Sequence, residues 1–176
     1  MGEIKSTIDI VMEKTKDLSL SREEKEKYNI NEAKKNLKGL LQQFEDKVLD
    51  KVQFEKELKI LQESYDLKEK NILISEILEK LGLEKDNRSI LALLHESFSI
   101  DVSSFESLFN NFQYEIDKDT QKRIDEIKEN LAEKHFISGS AVVPDLETDD
   151  EWIAKIRGIK DKFTQTLSRE KAKLTS

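Results

Sequence analysis

Ser168-Arg-Glu-Lys171 puts a hydroxyl and an amine at the spacing of a lysine-activated serine nucleophile. In that chemistry the amine takes the hydroxyl proton, and companion Ser-Asp-Asn and Lys-Thr-Gly motifs complete the site. Neither companion occurs, and the four residues lie in a densely charged C-terminal stretch, so the spacing is read as chance. The two histidines lack ligand companions as well. A di-iron centre in a helical bundle needs Glu-x-x-His on two helices. Here Ala92 stands three residues before His95, and Ala132 three before His135. His95-Glu96 opens like a zinc-protease motif, but Phe98 and Ser99 follow, so the second histidine is missing. A calcium loop needs aspartates at its first and third positions and glycine at the sixth. Asp117-x-Asp119 has Lys122 at that sixth position, and Asp145-x-Glu147-x-Asp149 has Asp150.

Phosphate cradles are excluded on the same grounds. Five scattered glycines form neither G-x-x-x-x-G-K-[ST] nor G-x-G-x-x-G. Carboxylate pairs at helical spacing, such as Glu76/Glu79 and Asp125/Glu129, follow from composition in a chain with 37 acids, and neighbouring lysines make solvated ion pairs the better account. His95 follows an apolar run near a helix end, which suits a packed or dipole-facing histidine better than a general base. No catalytic residue, metal ligand or cofactor is expected.

Charge narrows the partners. Net charge is −7, and the 30 bases are almost all lysines, with only 5 arginines. An acidic, arginine-poor chain is a poor match for phosphate backbones, so nucleic acid is not an expected partner. The absence of cysteine removes disulfides and thiolate sites and fits a cytoplasmic protein. Acids at Glu3, Asp9 and Glu13 argue against a secretory signal. The longest uncharged run, Phe136–Pro144, falls far short of the roughly 20 residues of a membrane span. Met1-Gly2-x-x-x-Ser6 fits a myristoylation start by letter, and Asn87-Arg88-Ser89 fits a glycosylation acceptor. The first is a weak anchor even if used, and the second is empty without secretion.

The elements that would position any site are helical. Ser21-x-x-Glu24, Ser103-x-x-Glu106 and Thr148-x-x-Glu151 each have the form of a capping box, which predicts helix starts at Ser21, Ser103 and Thr148. Ile4, Ile8, Val11 and Met12 mark a short helix over 3–17. Ile30, Ala33, Leu37, Leu40, Leu41, Phe44 and Val48 line the next one, with Gly39 inside it as a possible close crossing. Val52, Phe54, Leu58, Leu61 and Tyr65 follow after a boundary at Asp50, and Leu67, Ile74, Leu78 and Leu81 after a slip in phase. Gly82 has the place of a left-handed helix terminator. Asp86 or Asn87 then caps a short apolar helix, Ile90–Phe98. The stripe from Phe105 to Leu131 reads as two helices joined near Asp117, or as one long helix. Trp152, Ile156, Ile159, Phe163 and Leu167 give the last helix its face. The expected fold is all-α: a single-domain antiparallel bundle of about five to eight helices. Its parts are a short helix over 3–17, a main bundle over 21–135, an uncharged connector over 136–147 and a C-terminal helix over 149–173.

The segment 136–146 departs from this background as an irregular or short extended piece. Phe136, Ile137, Val142 and Val143 are expected to be buried and to anchor the last helix, since chains generally bury such runs; the other reading of the segment is an exposed binding loop whose serines and backbone groups meet a partner. Ser138, Gly139 and Ser140 form its exposed part, and with Trp152 they are the candidate partner-binding residues. The functional expectation is a non-enzymatic interaction module, an adaptor, regulator or helper, with a protein partner or self-association and no membrane. The alternatives are a small enzyme whose site assembles from dispersed carboxylates, lysines and histidines, and a helical homodimer with a structural role.

Overall fold

A computed structural model describes residues 22–65, 67 and 70–175. The expected helix over 3–17 and the cap at Ser21 lie outside the described residues. Six helices and no strand are present among those residues: α1 (Arg22–Glu45), α2 (Lys51–Ser64), α3 (Lys70–Glu79), α4 (Arg88–Phe98), α5 (Ser103–His135) and α6 (Asp150–Thr175). The protein is all-α, as its periodicity predicts. Contacts divide the chain into two compact units, Met1–Glu76 and Ile77–Ser176.

In the first unit α1 and α2 form an antiparallel hairpin. Phe44 packs against Phe54 with the rings tilted and their centroids 5.0 Å apart, and Asn36 Nδ2 donates to Tyr65 Oη at 2.7 Å. Ala33, Leu37 and Leu41 recur every four residues and are buried, as are Phe54, Leu58 and Leu61. Asp50 builds a complete capping box with Gln53: its Oδ1 accepts from the Gln53 N–H at 2.8 Å, while its own N–H donates to Gln53 Oε1 at 3.0 Å. Val48 and Val52 flank the connection and are exposed rather than part of the apolar stripes. Gly39 meets no neighbouring atom within 4 Å of where a Cβ would stand, so it marks no close crossing. From α3, Glu76 is only 8% exposed, and two lysines one turn apart on α1 converge on it. Lys34 Nζ lies 3.0 Å from Oε1, and Lys38 Nζ lies 3.5 Å from Oε2.

In the second unit Asn87 is buried and closes a ring on Gly82. Its Nδ2 donates to the Gly82 carbonyl at 2.7 Å, and its Oδ1 accepts the Gly82 N–H at 3.0 Å. Asn87 is therefore spent on the connection and leaves the start of α4 to Asp86, which accepts the Arg88 N–H. Gly82 is not left-handed; that role falls to Ser99 after α4 and to Phe136 after α5. Ile90, Leu91, Leu93 and Leu94 of α4, Phe105, Leu108 and Phe112 of α5, and Ile159, Phe163 and Leu167 of α6 supply buried core.

Two expected caps are taken over by aspartates, although α5 does begin at Ser103 as expected. Ser103 makes no cap; its N–H is taken by Asp101 Oδ1 at 3.0 Å. Thr148 likewise yields to Asp149, whose Oδ1 accepts the Trp152 N–H at 2.9 Å. A carboxylate competes well for a first-turn N–H because its bond is charge-assisted. The break expected near Asp117 is absent, and α5 runs unbroken. The polar gap holds no glycine or proline, and Thr120 Oγ1 satisfies itself on the Ile116 carbonyl.

The segment 136–149 differs most from expectation. Phe136 is 89% exposed and Val143 84%, so neither anchors the last helix. Exposure alternates along 142–147: Val142, Pro144 and Leu146 are half-buried, while Val143, Asp145 and Glu147 face solvent. That period of two belongs to extended chain lying on one side of the fold. It explains why one valine is half-sheltered and its neighbour is not.

Two stability outcomes follow, both read by urea denaturation. Asp50→Ala is expected to cost on the order of 1 kcal/mol, and Ser103→Ala to stay within about 0.5 kcal/mol, because only the first side chain caps a helix. Val143→Asp is expected to leave the midpoint unchanged, while Val142→Asp lowers it. Equal losses for the two valines would contradict the alternation.

Candidate functional site

The antiparallel register of α5 against α6 is written in cross-helix pairs. The rings of Phe112 and Phe163 meet edge-on at 5.4 Å. Lys162 Nζ reaches Glu115 at 3.0 Å, and Lys155 Nζ reaches Asp119 at 3.1 Å. Arg123 then meets Asp149 in two parallel bonds, Nε to Oδ2 at 2.8 Å and Nη2 to Oδ1 at 3.1 Å. Its Nη1 lies 2.7 Å from Glu151 Oε2. As numbers rise on α5 they fall on α6, as antiparallel neighbours must.

Asp149 serves two partners at once, Arg123 and the first turn of α6. Its carboxyl is held below the usual aspartate range, first by the Arg123 guanidinium and then by the Trp152 N–H. The same contact raises Arg123 above its ordinary value. This clamp sets Trp152 at the head of α6, half-buried and with its backbone fixed.

Beside it lies an open groove of about 450 Å³ with Leu146, Trp152, Ile153 and Ile156 on its apolar side and Glu147, Arg157, Lys160 and Asp161 among its charged lining. Of the residues singled out from sequence, the groove takes in Trp152 and leaves out Ser138, Gly139 and Ser140, which are exposed on the connection. Leu146 and Ile153 were not anticipated, and Ile156 was expected only on the apolar face of the last helix. The available signal was Leu146 as the one apolar residue inside the acidic run Asp145–Glu151, with Ile153 next to Trp152 and Ile156 one helical turn beyond it.

Two other clefts were candidates for chemistry. One of about 660 Å³ between α4 and α5 holds His95 and Glu106 over Leu91, Val102 and Phe109. Both polar side chains are exposed, so neither is the desolvated acid or base that catalysis in a small pocket calls for. His95 lies in the last turn of α4 with Nδ1 3.3 Å from the Ile100 carbonyl, a dipole-facing position. Beside it, the Ser103 N–H holds the Asp101 carboxyl below its usual range. The second cleft, about 730 Å³ along α1 and α2, is lined by side chains such as Asn36, Leu40, Ile60 and Tyr65.

The Ser-x-x-Lys spacing resolves into two separate jobs. Ser168 Oγ donates to the Thr164 carbonyl, and Lys171 Nζ donates to the Leu81 carbonyl at 3.0 Å. Burial pushes the Lys171 ammonium below its ordinary value, but it is spent holding the end of α6 in place. Among the described residues no three His, Asp or Glu side chains converge as a metal ligand set. No described helix is long and apolar enough to cross a membrane. No protein family matches the chain, and no characterised protein or solved structure matches it either.

The clamp has a signed pH dependence. A carboxyl depressed in the folded state stabilises above its unfolded pKa, about 4 for aspartate, and that contribution is lost as pH falls through the folded value. Asp149→Asn is therefore expected to melt below wild type at neutral pH. The gap should close as pH drops below about 4. Thermal melts across that range check it, and a gap that persists unchanged in acid contradicts the ionic origin.

Proposed function

We propose that this chain is a non-enzymatic helical interaction module, an adaptor, regulator or helper, which meets a protein partner through the connection 136–149 and the head of α6. One observation carries the reading: Phe136. This side chain is 89% exposed and sits on a left-handed backbone with φ 56° at the end of α5. Its N–H and that of Ile137 both return to the Leu131 carbonyl, the arrangement in which helices favour glycine. A bulky residue there is strained, on the order of 1 kcal/mol or more. It gains little from burial to offset that cost. The fold is better served by glycine, so the aromatic ring is accounted for by something outside the fold. Ile137, next in sequence, and Val143 on the same connection are exposed too, so one short segment presents three large apolar side chains to solvent.

The reading makes stability and binding move in opposite directions. Phe136→Gly is expected to raise stability by about 1 kcal/mol, since it relieves the strain and removes no buried surface. Peptides selected by phage display against the wild-type chain should bind this variant about tenfold more weakly. A destabilised Phe136→Gly, or a selection whose peptides bind variant and wild type alike, would overturn the proposal.

A further inference from the structure

We infer that the groove formed by Leu146, Trp152, Ile153 and Ile156 receives a basic amphipathic segment of the partner, with its apolar side chains in the groove and its lysines or arginines on the rim. This rests on the interaction reading above and specifies the partner's chemistry. The first argument is shape and composition. Leu146 comes from the extended connection and the other three from the first two turns of α6, so a loop and a helix face one open apolar trough. Ile153 is an exposed large apolar residue within it, and Trp152 and Ile156 are half-buried, so the trough is not closed by the chain's own side chains. A trough of about 450 Å³ that is open along its length has room for two or three anchor side chains of a partner.

The second argument is charge, and it selects the occupant. Acids crowd this surface, but they are not equivalent. Asp149 and Glu151 are matched by Arg123, and Lys160 on the groove wall is matched by Glu84 at 2.7 Å. Asp145, Glu147, Asp150 and Asp161 make no ion pair among the described residues, and Arg157 is the one base of the groove lining in the same position. The remaining field is negative. It repels an acidic segment or an anionic lipid surface and attracts a basic one, which complementary interfaces require. A basic segment without an apolar face would leave the trough wet, and an apolar segment without bases would leave the rim unmatched.

The test uses the full chain and three fluorescent peptides of about 18 residues, long enough for a helix to form on binding. One alternates leucine and lysine at helical period, one replaces its lysines with glutamates, and one replaces its leucines with serines. Anisotropy titration is expected to show the leucine–lysine peptide binding about tenfold more tightly than either other. Ile153→Ser, and separately the triple neutralisation Asp145→Asn, Glu147→Gln and Asp161→Asn, should each weaken it by about tenfold. Removing as many charges elsewhere, by Asp125→Asn, Glu129→Gln and Glu133→Gln, should leave it unchanged, and all variants should keep the wild-type melting profile. Equal loss in that control, equal affinity for the glutamate peptide, or indifference to Ile153→Ser overturns the inference. So does an Ile153-dependent dimer by sedimentation, or Ile153-dependent binding to phosphatidylcholine vesicles. Display-selected peptides that depend on Phe136 but are neutral or acidic would leave the interaction reading standing and remove only this one; selections that ignore Phe136 remove the interaction reading itself.

Discussion

The bidentate contact between Arg123 and Asp149 fixes the register of α5 against α6, and with it the head of α6 and the connection that leads there. One carboxylate locks α6 onto the middle of α5 and caps α6 at the same time. The register it imposes leaves α5 running on to His135, roughly three turns or about 18 Å beyond the level where α6 begins. The chain between them cannot be a tight turn. It has to cover that distance, and its stretch 142–147 does so with alternating exposure, as an extended segment sheltered on one side does. The half-burial of Val142, Pro144 and Leu146 and the exposure of Val143, Asp145 and Glu147 follow from that geometry.

Elsewhere each unit solves a local problem with the same economy of polar groups. In the first unit the Glu76 carboxylate is nearly withdrawn from water, and Lys34 and Lys38 approach it from one face of α1. A buried charge is tolerable only with such company, and the pairing fixes which turn of α1 faces α3. One of its oxygens accepts no hydrogen bond and relies on the Lys38 ammonium at 3.5 Å. In the second unit Asn87 satisfies both backbone groups of Gly82, and Lys171 satisfies the Leu81 carbonyl. These contacts explain why residues that resemble cap, terminator and nucleophile motifs in the sequence do other work.

The proposed function rests on what the fold leaves uncovered. The acid–base pair of the α4–α5 cleft is solvated, and the serine and lysine of the C-terminal motif are occupied with separate carbonyls. What stays open is apolar: a strained aromatic at the end of α5, an exposed valine on the return path, and a trough at the head of α6. A surface of this kind gains free energy by excluding water against another apolar surface, and its unmatched carboxylates set the sign of charge that can approach.

The sequence by itself determined the helices. Stripes at Leu37/Leu41, Phe54/Leu58/Leu61 and Phe105/Leu108/Phe112 needed only the period of the α-helix to be read, and each is buried where that period places it. Boundaries were legible to within one or two residues, because cap residues act over a single turn. Asp101 and Asp149 could compete with the neighbouring Ser103 and Thr148 hydroxyls, and only their geometry shows which oxygen takes the N–H. The long helix through Asp117–Thr120 also needed tertiary information, since its polar gap is matched by residues of α6 such as Lys155, which are distant in sequence. The connection was misread for the same reason. Hydrophobicity predicts that Phe136 and Val143 be buried, but burial requires a surface within reach, and along 142–147 only Val142, Pro144 and Leu146 are on the sheltered side. Local chemistry is written along the chain; which side of an extended segment meets protein is decided by partners that only folding brings near.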